Sequence, residues 1–262
     1  MSNNDYIIDI KNVTKKYGTN IVLNDVTVSF EKGKIHGLVG RNGSGKTMLM
    51  KCICGFVTPS SGEILINGIK VDRNSKALDN IGAIIENPGF LGNYSAYNNL
   101  KFLAAINKKA GKDKIRETIK LVGLDPDNKK HVGKYSLGMK QRLGLAQALM
   151  EDPDILLLDE PMNGLDKNGV SEMRQLFKKL AQDGKTIIMA NHSTEDIDFL
   201  CDTVCEMDCG VLKRIWNIDI FPNAFSGYLR RTTAFIKCIS FMVIKRKYEG
   251  DFNGIIQLYE QV

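Results

Sequence analysis

The chain has 262 residues, 43% hydrophobic and 25% charged, which is enough for one large core and excludes a disordered or collagen-like polypeptide. Lys and Arg total 36 against 30 Asp and Glu, and the resulting +6 suits polyanionic ligands or an anionic membrane surface without selecting either. No run approaches the roughly 20 apolar residues of a membrane span. Met1-Ser2-Asn3-Asn4-Asp5 also lacks the order of a secretory signal, so a cytosolic chain that does not itself cross a bilayer is expected.

Residues 7–13 and 21–30 carry strand-like alternation before any helical pattern begins. Residues 35–39 form a short apolar run, the mark of a strand buried on both faces, and a helical stretch follows over 46–54. Residues 62–71 contain Asn67-Gly68, a hairpin turn, so residues 1 to about 70 include a small antiparallel layer beside the main core. A second buried-type strand spans 81–85 and ends in Glu86-Asn87-Pro88. From about 90 to 150 the pattern is helical, over 96–108, 114–122 and 137–150, and reads as a lobe inserted between core strands. Strand 155–158, helix 169–182 and strand 186–190 complete a mainly parallel α/β sheet covered on both faces. No internal repeat is evident.

The six cysteines, Cys52, Cys54, Cys201, Cys205, Cys209 and Cys238, are too scattered for a disulfide framework, and reduced thiols are expected. Cys201, Cys205 and Cys209 have helical spacing, but Val204 and Met207 alternate with polar residues as in a strand. No tight Cys-x-x-Cys or nearby His completes a tetrahedral metal set.

Two motifs carry chemistry. Gly40-Arg41-Asn42-Gly43-Ser44-Gly45-Lys46-Thr47 fits G-x-x-x-x-G-K-[ST] between an apolar strand and a helix, the context in which that pattern cradles phosphates. Glycines let backbone N–H groups converge on phosphate oxygens, Lys46 supplies charge for the β- and γ-phosphates, and Thr47 offers a hydroxyl to Mg²⁺. The strand at 155–158 runs into Asp159-Glu160, two carboxylates at the edge from which the phosphate loop springs. Asp159 can hold Mg²⁺ and Glu160 can polarise an attacking water. A phosphate-loop protein that binds and hydrolyses a nucleoside triphosphate is the resulting expectation.

In these and further ordered motifs, residues 5–215 resemble the nucleotide-binding subunit of ABC transporters. The resemblance implies that Tyr17, in Lys16-Tyr17-Gly18, stacks on adenine. It also aligns Tyr135-Ser136-Leu137-Gly138-Met139 with the family signature Leu-Ser-Gly-Gly-Gln. Ser136 and Gly138 are retained, Leu137 replaces the first Gly, and Met139 replaces the Gln. In the family this signature faces the nucleotide of a second protomer, Asp166 in Asn163-Gly164-Leu165-Asp166 lies in the loop linking the two sites, and His192 contacts the γ-phosphate. Without the family, Tyr17 reads as a strand-end core aromatic, Ser136 as a helix N-cap and His192 as a turn residue.

Glu86 departs from the family, which usually has Gln there; a carboxylate keeps metal-ligand capability but loses the amide donor and adds charge near triphosphate. Glu86-Asn87-Pro88 and the residues after it are similar to the bacitracin and lantibiotic resistance branch. The resemblance implies a homodimer closing on ATP and Mg²⁺ at the cytoplasmic face of the membrane, peripheral to separately encoded permease subunits, with Glu160, His192 and Glu86 as catalytic residues. Export of an antimicrobial peptide or drug is the expected work. No nucleic-acid partner is expected; a soluble ABC ATPase acting on ribosomes or DNA is the alternative.

Residues 216–262 match the family poorly. Phe235, Ile236, Ile239, Met242 and Val243, with Arg230, Arg231, Lys237, Lys245, Arg246 and Lys247 nearby, read as a basic amphipathic helix that either packs on the parent domain or rests on a membrane surface.

Overall fold

The computed structural model describes residues 5–86 and 89–217; the amphipathic segment after 217, Cys238 within it, and Asn87-Pro88 lie outside the described residues. Two sheets and six α-helices form the described part. β1 (Tyr6–Tyr17), β2 (Asn20–Glu31), β4 (Ser61–Ile66) and β5 (Ile69–Lys70) make an antiparallel sheet in the order β2-β1-β4-β5. This is the layer expected from alternation, with Asn67 in the left-handed region at the hairpin between β4 and β5.

The main sheet has the order β10-β9-β3-β8-β7-β6, built from β3 (Ile35–Val39), β6 (Ile81–Ile84), β7 (Ile155–Asp159), β8 (Thr186–Ala190), β9 (Thr203–Asp208) and β10 (Val211–Asn217). The four apolar runs of the sequence are β3, β6, β7 and β8, paired in parallel with β9 beside β3; only β10 runs antiparallel, against β9. β9 and β10 extend the sheet beyond the four expected core strands. The cause is that β9 alternates Val204, Cys205 and Met207 with polar residues, so it lacks the continuous apolar run that marks its neighbours.

Period-two alternation on the central strands sends side chains to two cores. Leu156, Leu158, Ile187 and Met189 face the helices α2 (Ala96–Asn107), α3 (Lys112–Leu121), α4 (Leu137–Leu149), α5 (Lys167–Gln182) and α6 (Thr194–Leu200). Ile155, Leu157, Ile188 and Ala190 face α1 (Lys46–Ile53) and the antiparallel sheet. Cys201 falls in the first core and Cys205 in the second, so the two thiols lie on opposite faces and are packing groups. Burial pushes the Cys205 thiol up to about 12 and Cys52 up to about 11.

The helical lobe is inserted between β6 and β7 as expected, but its third helix runs back onto the core. α4 crosses β6 so closely that a Cβ at Gly82 would stand 2.1 Å from the Ala148 carbonyl oxygen. Arg142 ties the same helix to its neighbours by donating to the Val122 carbonyl at 2.8 Å and pairing with Glu172 at 2.7 Å. A Gly82→Val substitution must push α4 off the sheet, and a loss of about 3 kcal/mol in denaturant unfolding is the expected result.

His36 on β3 is buried; its Nε2–H donates to the Glu31 carbonyl at 2.9 Å, and its Nδ1 accepts from the Thr203 hydroxyl at 2.6 Å. The bond from the Thr203 hydroxyl needs an unprotonated Nδ1, and burial lowers the ring's pKa below the ordinary 6.5 against the opposing pull of the Glu31 carbonyl. The unfolded chain then binds a proton before the native one does. Stability is fully present above pH 6.5 and is lost as pH falls from there towards the depressed native value. Denaturant midpoints measured across this range should fall in acid, and less steeply in His36→Gln.

Candidate functional site

Parallel register brings the site residues to one edge. Leu38 of β3 and Asp159 of β7 both align with Ala190 of β8, so Gly40, Glu160 and Asn191-His192 leave the sheet side by side. Ile84 of β6 aligns with Leu158, which brings Glu86 level with Glu160.

Between β3 and α1, residues 40–47 wrap a cleft of about 320 Å³ lined by Asn42, Gly43, Ser44, Lys46, Thr47, Asp159 and Glu160, with Val22 and Met48 at its rim. Gly40 has φ 151, and a Cβ there would lie 2.2 Å from the Met207 carbonyl oxygen, so glycine is required where β9 backs the loop. The tip of the β9–β10 hairpin adds a second brace, with Gly210 N–H donating to the Ser44 carbonyl at 3.0 Å and Arg41 pairing with Asp208 at 2.9 Å.

The helices around the site begin differently. Ser136, Asp166 and Ser193 cap α4, α5 and α6 with side-chain oxygens, whereas α1 starts at Gly45 with no side-chain cap. Its first N–H groups therefore stay open to an anion. Ser44 Oγ lines the same cleft, is buried, and has no hydrogen-bond partner among the described residues. Lys46 Nζ curls over the loop to donate to the carbonyls of Gly40 at 2.7 Å and Arg41 at 3.1 Å. Burial lowers its pKa while Asp159 and Glu160 raise it. An anionic phosphate would satisfy the open amides, the Ser44 hydroxyl and the ammonium of the buried Lys46 together.

The carboxylates carry the complementary demand for a cation. Thr47 Oγ1 donates to Asp159 Oδ2 at 2.7 Å, joining the first turn of α1 to the end of β7. Burial pushes the Asp159 carboxyl up, the Thr47 bond pulls it down, and the charge of Glu160 pushes it up while Lys46 pulls it down, with Glu86 adding a smaller push up. A hydroxyl and a carboxylate under that repulsion are hard oxygen ligands suited to Mg²⁺.

Glu160 has φ 50 and is held in this corner from both sides. Its N–H donates to the Ala190 carbonyl at 2.9 Å, and its own carbonyl accepts from Gln141 Nε2 at 3.1 Å. Its side chain accepts from His192 Nδ1–H at 3.0 Å. The loop bearing His192 is pinned by a buried network in which Asn191 Nδ2 donates to Asp196 at 3.1 Å and Arg174 Nε donates to Asp196 at 2.8 Å.

The structure thus gathers residues 40–47, Asp159, Glu160 and His192 into one site. Others stand apart. Tyr17 is exposed at the end of β1, outside the residues lining the cleft, with Lys15 Nζ 4.8 Å from its ring centre. Ser136, Gly138 and Asp166 lie at the starts of α4 and α5, where Gly138 packs against the Gly164 carbonyl. Glu86 is level with the site but ion-pairs with Lys51 at 2.6 Å. Sequence reasoning gave no role to Gln141, Asn191, Arg174 and Asp196. Gln141 is buried two residues after Met139, which only the structure reveals.

A family model described as ABC transporter matches residues 23–163. The ABC transporter ATP-binding protein YybJ of Bacillus subtilis, itself uncharacterized, is 44% identical over 207 residues, 79% of this chain and 95% of its own. The bacitracin transport ATP-binding protein BcrA of Enterococcus faecalis is 40% identical over 261 residues, 98% of this chain and 85% of its own. The dimeric structure of MJ0796, a bacterial ABC transporter cassette, superposes with a TM-score of 0.74 at 26% identity, over 80% of this chain and 98% of that one. The same cassette in a dimeric post-hydrolysis state bound to ADP and Pi superposes equally well, with a TM-score of 0.74 at 25% identity. With the phosphate loop, the carboxylate pair and the histidine already assembled at one sheet edge, the chain belongs to the ABC transporter family as an ATP-binding, ATP-hydrolysing subunit.

Proposed function

We propose that two copies of this chain close on two ATP molecules and that closure drives separately encoded membrane subunits to export an antimicrobial peptide or drug. The observation that carries the dimer is the position of the signature turn. Gly138 packs on the Gly164 carbonyl, and the cleft over residues 40–48 is lined without Ser136 or Gly138. The Ser136 oxygen already caps α4 by accepting from Met139 N–H at 3.2 Å, and its hydroxyl proton can donate to the γ-phosphate held by a second copy, with Asp166 in the loop between the two sites. The dimeric state of the neighbouring cassette supports this arrangement, and the bacitracin transport relative supports the cargo class. No helix among the described residues is long and apolar enough to cross a membrane, which fits a peripheral subunit at the cytoplasmic face that relies on other chains for the membrane path.

In this reading Tyr17 stacks on adenine, and the amides of residues 40–45 with Lys46 hold the phosphates. Thr47 and Asp159 hold Mg²⁺, which neutralises charge on the phosphate oxygens. Glu160 accepts a hydrogen bond from the attacking water and takes its proton as ATP and water become ADP and phosphate. His192 orients Glu160 through the 3.0 Å bond and reaches the γ-phosphate. Gln141 keeps Glu160 in its corner from behind. Glu86 passes the state of the site to the membrane subunit.

Glu160→Gln should lower hydrolysis by at least about 10²-fold while ATP binding persists. ATP should then shift the variant to twice the monomer mass by size exclusion with light scattering. A monomer that hydrolyses ATP at the wild-type rate would overturn the dimer mechanism. Purification of the tagged chain from membranes should bring down a hydrophobic subunit identifiable by mass spectrometry; its consistent absence would count against the transport reading.

A further inference from the structure

Thr47 and Lys51 stand four residues apart on α1 and so share one face of the helix. Thr47 is bonded to Asp159, and one turn further along Lys51 Nζ lies 2.6 Å from Glu86 Oε1. The register of β6 against β7 sets Glu86 level with Glu160, and a left-handed backbone at Glu86, φ 62, turns the chain at that point. Glu86 is close enough for its charge to help push the Asp159 carboxyl up, after burial and Glu160. Asp159 and Glu160 line the cleft, and a third carboxylate, Glu86, stands outside it, near enough for Asp159 to feel its charge but engaged by Lys51.

We propose that Lys51, one helical turn beyond Thr47 on α1, is a positioning residue that parks the Glu86 carboxylate away from the Thr47–Asp159 cation site. The inference rests on the Mg²⁺ role given above to Thr47 and Asp159. While parked, Glu86 presents a compensated charge to an arriving triphosphate. Released, it adds uncompensated negative charge beside the phosphates and becomes available to a cation. The Glu86 side chain is 64% exposed, so the pair is screened by water and weak enough to exchange. Lys51 is thus a competitor for the carboxylate, and a cation shifts the balance.

The test is equilibrium binding of a fluorescent ATP analogue to the full chain, with Mg²⁺ and with chelator. The readout is the ratio of the Kd without Mg²⁺ to the Kd with it. Lys51→Met should raise this ratio by up to about fivefold, the ceiling for an exposed charge pair. Lys51→Arg should hold it at the wild-type value, and Lys51→Met in a Glu86→Gln background should leave it where Glu86→Gln alone puts it. An unchanged ratio in Lys51→Met overturns the proposal. So does an equal rise in both backgrounds, because Lys51 would then act directly on the phosphates. If the wild-type ratio is itself one, the Mg²⁺ reading of Thr47 and Asp159 fails, and this inference falls with it. A wild-type ratio above one with no response to Lys51→Met isolates the failure to this proposal alone.

Discussion

The register of four parallel strands is the constraint on which the site depends. Side chains alternate across a sheet with a period of two, so a slip of one residue between β7 and β8 would exchange the two cores and withdraw Asp159 from Thr47. Burial on both faces fixes the register, because Leu156 and Leu158 must meet the helical face while Ile155 and Leu157 meet α1 and the antiparallel layer. The same packing that stabilises the sheet therefore sets the carboxylates, the phosphate loop and the histidine level with one another. The chemistry at the edge needs no separate scaffold.

Charge at that edge is arranged as a pair of unmet demands. Lys46 is largely stripped of water and turned onto carbonyls of its own loop, and Asp159 is half-buried, with the like charge of Glu160 beside it. Each is more comfortable once a magnesium triphosphate is present, because the phosphates compensate the lysine and the metal compensates the carboxylate. Exposure is low enough for these charges to act strongly, while the cleft stays open to solvent. Around them the polar groups are satisfied by fixed partners, including Gln141 behind Glu160 and Asp196 behind Asn191.

The parts of this arrangement that are local in the chain were legible in the sequence. The phosphate loop, the Asp159-Glu160 pair at the end of an apolar strand, and the strand and helix order all follow from contiguous patterns. The Cys201, Cys205 and Cys209 spacing was resolved by the strand alternation of Val204 and Met207, and burial on opposite faces bears that out for the first two. Interactions between distant segments were not legible. Nothing near Gln141 announces that its amide meets the Glu160 carbonyl, and nothing near Lys51 announces Glu86, because each contact is set by how helices cross the sheet. β9 showed in the sequence as strand-like alternation around Val204 and Met207 but not as a member of the core sheet, and α6, a two-turn helix, was missed; both draw their stability from packing.

The hairpin that backs the phosphate loop bears on when the protein becomes competent during its synthesis. Arg41 and Asp208 are 167 residues apart in the chain, and the Met207 carbonyl and Gly210 amide complete the rear wall of a loop made near the beginning. Loop-closure entropy must be overcome before such a contact is rewarded, so the rear wall forms late. A ribosome-bound chain with its phosphate motif already exposed still lacks the wall against which that motif is shaped. The loop's full geometry is thereby completed only once the β9–β10 hairpin has been added.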